Sequence, residues 1–107
     1  MDALTPQTRI QAAPDVLFSP IGDEGVLLDL KSGVYYSLNA VGASVWKWGV
    51  GGRSLGEIQT ALHEDFSVDL DVLWADVLAL TTDLVQNGLV IAPAPGPSGG
   101  LGPSKQE

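Results

Sequence analysis

The sequence predicts an α+β domain in which a small antiparallel sheet packs on three helices that follow it. Three observations predict it. Residues Glu24 to Trp48, reading EGVLLDLKSGVYYSLNAVGASVWKW, hold two runs of strand composition around a Gly-containing turn. Ser54 to Glu57 has the form of a helix start and Asn87-Gly88 that of a helix stop, with apolar residues at helical spacing between them. A hydrophobic fraction of 45% and a charged fraction of 17% suit a packed core rather than a disordered chain.

The 107 residues allow one domain. There is no cysteine, which excludes disulfides, thiol nucleophiles and thiolate metal sites. The opening MDALTPQTRIQ has an early Asp and no apolar core, unlike a signal peptide. No apolar run approaches a membrane span, so a cytoplasmic protein without a membrane partner is expected. The net charge is -8. Between Ser54 and Ala92 lie seven acids and no Lys or Arg, a surface that repels nucleic acid. A solubilising, solvated face accounts for it.

Taken in order, residues 1 to 14 are expected to be a flexible leader segment. Asp15 to Ser19 form a candidate first strand, and Pro20 to Gly25 a turn. In the hairpin, Gly25 to Leu30 and Val34 to Leu38 are the strands, with Lys31-Ser32-Gly33 between them. Val26, Leu28 and Leu30 share one face of the first strand, and Leu27 and Asp29 the other. Val34, Tyr36 and Leu38 share a face of the second, opposite Tyr35 and Ser37.

Asn39 is a good N-cap for a helix running from Ala40 to about Trp48, with Val41, Val45 and Trp48 at helical spacing. The glycines after it end that helix. Ser54 and Glu57 form a capping box opening a second helix to about Asp65. The third helix starts near Asp69 to Asp71 and stops at Asn87-Gly88. Its apolar residues from Leu70 to Val85 cover an arc of roughly 160°, wider than a surface helix needs. Two explanations fit: burial on two sides, or a surplus formed by Trp74, Leu78 and Val85 that lines a groove beside the sheet. Leu89-Val90-Ile91 is an apolar tag expected to tuck onto the core. From residue 92 the Pro/Gly/Ser-rich tail is expected to be disordered.

No catalytic set emerges. His63 is the only histidine and stands beside Glu64 and Asp65 without a second ligand of its kind. No Ser lies in a nucleophile-elbow pattern, and the glycines at 49, 51 and 52 follow a helix and lack the ending of a phosphate loop. No cofactor or metal is expected. Binding remains. The second hairpin strand is the last in chain order, so it is expected to be an edge that accepts an extended peptide as an added strand.

Three segments carry a resemblance: VLLDLKSGVYYSLNAVGASVW, SLGEIQTALHEDFSVD and ADVLALTTDLVQNGLV. Together they resemble the PqqD-like peptide-recognition family, the recognition elements of ribosomally made, modified peptides, over residues 15 to 91. The spelling is closest to the discrete leader-binding proteins of lasso-peptide clusters. The resemblance implies a winged-helix-like fold of three strands and three helices, without catalysis or cofactor. It implies binding of a precursor leader peptide as an extra strand, and its delivery to a processing enzyme. That enzyme is a cysteine peptidase in the lasso case and a radical SAM enzyme in the quinone-cofactor case. By position, the strand is Val34, Tyr35, Tyr36, Ser37 and Leu38. The groove wall is Trp74, Val77, Leu78 and Thr81, with Asp76 placed to meet a basic leader residue.

Two other functions compete. A winged-helix DNA-binding module would read with the third helix, which carries Asp71, Asp76 and Asp83 and no base. An acidic adaptor subunit would dock on an enzyme without binding a leader.

Overall fold

The computed structural model describes residues 4–93. Five strands and three helices follow in the order β1 (Gln11–Ala12), β2 (Val16–Ile21), β3 (Glu24–Asp29), β4 (Tyr35–Leu38), α1 (Ala40–Val50), α2 (Leu55–Phe66), α3 (Leu70–Gln86) and β5 (Val90–Ile91). The expected three-stranded antiparallel sheet is present in the order β2-β3-β4. A second, two-stranded ribbon pairs β1 with β5.

The turn between β2 and β3 is shorter than expected. Pro20 and Ile21 continue β2, and the reversal is made at Gly22, whose φ of +59° suits glycine. Proline is tolerated there because β2 is an outer strand. In the β3–β4 turn, Asp29 accepts from the Lys31 N–H at 3.0 Å and from the Ser32 hydroxyl at 3.1 Å, which shapes the reversal. Strand β4 begins at Tyr35, one residue later than expected, although the Asp29 N–H still donates to the Val34 carbonyl.

The helix ends follow their local chemistry. The Asn39 side chain accepts from the Gly42 N–H at 2.8 Å. The Ser54–Glu57 capping box is complete, with reciprocal bonds of 3.2 and 2.7 Å. The Ser54 N–H, seconded by its hydroxyl and by Arg9, holds the Glu57 carboxyl below the usual range. At the end of α3, Gly88 has φ +72° and the Leu89 N–H reaches back to the Leu84 carbonyl at 2.8 Å.

Burial selects the inner face of the sheet. Leu27 is fully buried, flanked by its cross-strand partners Phe18 and Tyr36, and Leu38 is buried behind it. Gly25 lies under the Phe18 ring, where a Cβ has no room, so the ring stacks against Trp46 at 6.4 Å. Beneath lie Ala43, Val45, Ile58, Leu62, Leu73, Val77 and Leu84 from the three helices. The outer face is also apolar. Leu17, Leu28 and Tyr35 form one cross-strand row, with Leu30 exposed beside it.

The N-terminal segment departs from expectation. From Leu4 onward it is packed rather than loose. The Gly56 and Leu55 N–H groups donate to the carbonyls of Pro6 and Thr8, both at 2.9 Å. Arg9 hydrogen-bonds the Gly52 carbonyl and pairs with Glu57. Ile10 is 4% exposed and lies against Gly49. These groups satisfy free N–H groups at the start of α2, so the domain includes this arm. Of the expected disordered tail, only Ala92 and Pro93 fall within the described residues.

Candidate functional site

The register of the central strand decides which backbone groups of β4 are unpaired. The Leu30 N–H donates to the Asp15 carbonyl and the Asp29 N–H to the Val34 carbonyl, both at 2.9 Å. Residues of β3 therefore alternate, even numbers bonding toward β2 and odd numbers toward β4. On β4, Tyr36 and Leu38 exchange bonds with Leu27 and Gly25. Tyr35 and Ser37 direct N–H and C=O outward, and among the described residues no other strand pairs with β4. The edge thus offers four backbone groups to an incoming strand.

A cleft of about 340 Å³ runs beside this edge. Tyr36, Ser37, Leu38, Asn39, Val41 and Gly42 line one side, and Asp76, Ala79 and Leu80 of α3 the other. One hydrogen bond ties the walls together: the Tyr36 hydroxyl donates to Asp83 Oδ2 at 2.6 Å. That bond, with partial burial and the carboxylate charge, pushes the Tyr36 phenol up to about 12. Asp76, Ala79, Leu80 and Asp83 lie at i, i+3, i+4 and i+7, so they form one stripe along α3. Tyr36 meets Asp83 at one end of this stripe, and Asp76 at its other end lines the cleft.

This stripe is rotated from the wall expected from the resemblance. Val77 and Thr81 are both fully buried in the core and do not reach the cleft. Trp74 and Leu78 are half-buried and do not line it. Val34 is exposed and lies beyond the end of β4. Asp76, Tyr36, Ser37 and Leu38 are on the cleft, and Tyr35 contributes to the edge. Ala79, Leu80, Asp83 and the start of α1 were not anticipated in this role. Their signal was available in part: Asp76 and Asp83, seven apart with aliphatic residues between, mark the border of the apolar arc.

Other chemistry is sparse. His63 Nδ1 lies 2.7 Å from the Val68 carbonyl. Among the described residues no group of His, Cys, Asp and Glu is placed to hold a metal ion. No described helix is long and apolar enough to cross a membrane.

Residues 24–90 match the family described as coenzyme PQQ synthesis protein D, PqqD. The match contains the edge strand and every helix. The chain belongs to the PqqD family. Two solved structures are similar to this PqqD-family chain. TbiB1 in complex with the TbiA(beta) leader peptide shares 31% identity with a TM-score of 0.70, over 75% of this chain and 93% of that one. Lasso peptide synthetase B1 complexed with the leader peptide shares 26% identity with a TM-score of 0.72, over 78% of this chain and 99% of that one. No curated protein sequence matches.

Proposed function

We propose that this PqqD-family protein binds the leader of a ribosomally made precursor peptide by strand addition on β4 and presents it, without catalysis, to a processing enzyme. A lasso-peptide leader peptidase is the enzyme favoured. The observation that carries this reading is the pairing of an open edge with a cleft. The Tyr35 and Ser37 backbone groups point outward while Tyr36, Leu38, Asp76, Ala79 and Leu80 line the space a guest's side chains would enter. Backbone bonds to the edge supply affinity, and the cleft supplies preference among sequences. The two leader-peptide complexes of similar fold support it. An added strand also covers unpaired backbone that otherwise invites association between copies.

The test is titration of a labelled synthetic leader, taken from a precursor encoded beside this protein, into the purified chain. Binding at micromolar Kd or tighter, about -8 kcal/mol, is expected. Hydrogen exchange should slow at Tyr35 and Ser37 on binding, while Tyr36, already paired to β3, changes little. Tight binding with no protection at Tyr35 or Ser37 would overturn strand addition.

A further inference from the structure

We infer that the Tyr36–Asp83 pair is a clamp: it holds α3 at the distance from β4 that a guest strand needs, which makes both side chains positioning residues for leader binding. The inference rests on the strand-addition reading above and adds how the site is kept open before the guest arrives.

The two walls of the cleft are secured in different ways. Tyr36 pairs with Leu27, so its backbone is fixed from the side of β3 and offers the guest no bond. Its side chain crosses to α3, where the hydroxyl meets Asp83 at 2.6 Å, 47 residues along the chain. On its far side α3 is buried through Leu73, Val77, Thr81 and Leu84. On the cleft side Asp76, Ala79 and Asp83 are exposed, and the space between the walls is about 340 Å³. Apolar packing therefore presses α3 into the core but does not set its distance from the edge strand. Other side-chain bonds do not set it either. Those of Asp29 stay within the β3–β4 turn, and those that reach α3 come from Gln59 of α2 and from Asn87 at the helix end. Among the described residues, the Tyr36–Asp83 bond is the one side-chain hydrogen bond between the three-stranded sheet and a helix.

Its chemistry suits the task. A tyrosine side chain is long and stiff, with two rotatable bonds, so little freedom is lost when it is held. A carboxylate makes a stronger acceptor than a neutral group. Asp83 is itself anchored: its carbonyl accepts from the Asn87 N–H at 3.0 Å and from the Asn87 side chain at 2.8 Å. A site whose walls already stand apart binds without the cost of moving them. Where only a fraction of molecules is open, affinity falls by that fraction. Loss of the clamp should therefore slow association, whereas loss of a direct contact to the guest shows in dissociation.

The test is stopped-flow anisotropy with the labelled synthetic leader of the precursor encoded beside this protein. It is run on the full chain and on Tyr36→Phe, Asp83→Ala, Asp83→Asn and Ser37→Pro, each checked for folding by circular dichroism. Tyr36→Phe and Asp83→Ala should each bind about two- to ten-fold more weakly, mostly through slower association. The double variant should be no weaker than either alone, since the two side chains act through one bond. Asp83→Asn keeps an acceptor for the phenol and should stay within about two-fold of wild type. Unchanged association in Tyr36→Phe beside weakened binding in Ser37→Pro would overturn the clamp and leave strand addition standing. So would a loss in Asp83→Asn without one in Tyr36→Phe, which would show Asp83 meeting the guest directly. A leader that binds Ser37→Pro as it binds wild type, or that binds neither, would overturn both readings.

Discussion

Replacing Ser37 with proline separates the two sides of β4. The Ser37 N–H points away from β3, so its loss leaves the hydrogen bonds of the sheet intact. Proline's φ lies near the extended range, and an edge position is where a sheet accepts it. Folding stability should therefore change by less than about 1 kcal/mol. Binding should suffer more. One donor to the guest is removed, worth about 0.5–1.5 kcal/mol, and the ring stands where the guest carbonyl must approach. The sum is about 1–2 kcal/mol, a loss in affinity of roughly 5- to 30-fold. Tyr36→Pro is the control. Its N–H bonds to β3, so that variant should be destabilised by about 2 kcal/mol or more whether or not a guest is present. Fluorescence anisotropy of a labelled leader and urea unfolding monitored by circular dichroism measure the two quantities. A folded Ser37→Pro protein with unchanged leader affinity would refute the assignment of the outward groups.

Three further outcomes are expected. Tyr36→Phe removes the bond to Asp83 and should cost about 1 kcal/mol, the exposure of the pair keeping the figure low. Because the folded phenol is raised from its usual value near 10 to about 12, the stability difference between wild type and variant should be level up to pH 10 and vanish by about pH 12, as urea melts across pH would record. Thr81 is fully buried and its hydroxyl has no hydrogen-bond partner among the described residues, so Thr81→Val should stabilise by about 1 kcal/mol, a rise in Tm of roughly 4–8 °C by calorimetry. Ile10→Ala should cost about 2–4 kcal/mol in chemical denaturation, whereas an arm outside the core would show almost no change.

The parts of this fold that were legible in the sequence are those decided by near neighbours. Asn39, the Ser54–Glu57 pair and Asn87-Gly88 each satisfy backbone groups within a few residues; the first two open a helix, and the third closes one, where expected. The parts that were not legible depend on partners far along the chain. Ile10 is anchored by Gly49, and Pro6 by Gly56, and nothing within residues 4–13 announces either contact. In β3 both faces are apolar, so alternation alone does not tell Leu27, which is buried, from Val26 and Leu28, which are not fully so. The third helix has the same ambiguity. An arc of roughly 160° fits more than one rotation about the axis. The long-range bond from Tyr36 to Asp83 selects the one that turns Leu80 toward the cleft and Thr81 into the core.

The β1–β5 ribbon has a mechanical consequence. Gln11 is paired with Ile91 and Ala12 with Val90, so the chain enters and leaves at the same end of the ladder. Tension applied beyond Ile91 would load these bonds one after another, peeling β5 from its open end rather than shearing all of it together. From that side the first step should need little force, and extraction of buried Val90 would bear the load next. From the N-terminal side the arm of residues 4–10, bonded to α2 and packed on Gly49, must come away before the ribbon is reached.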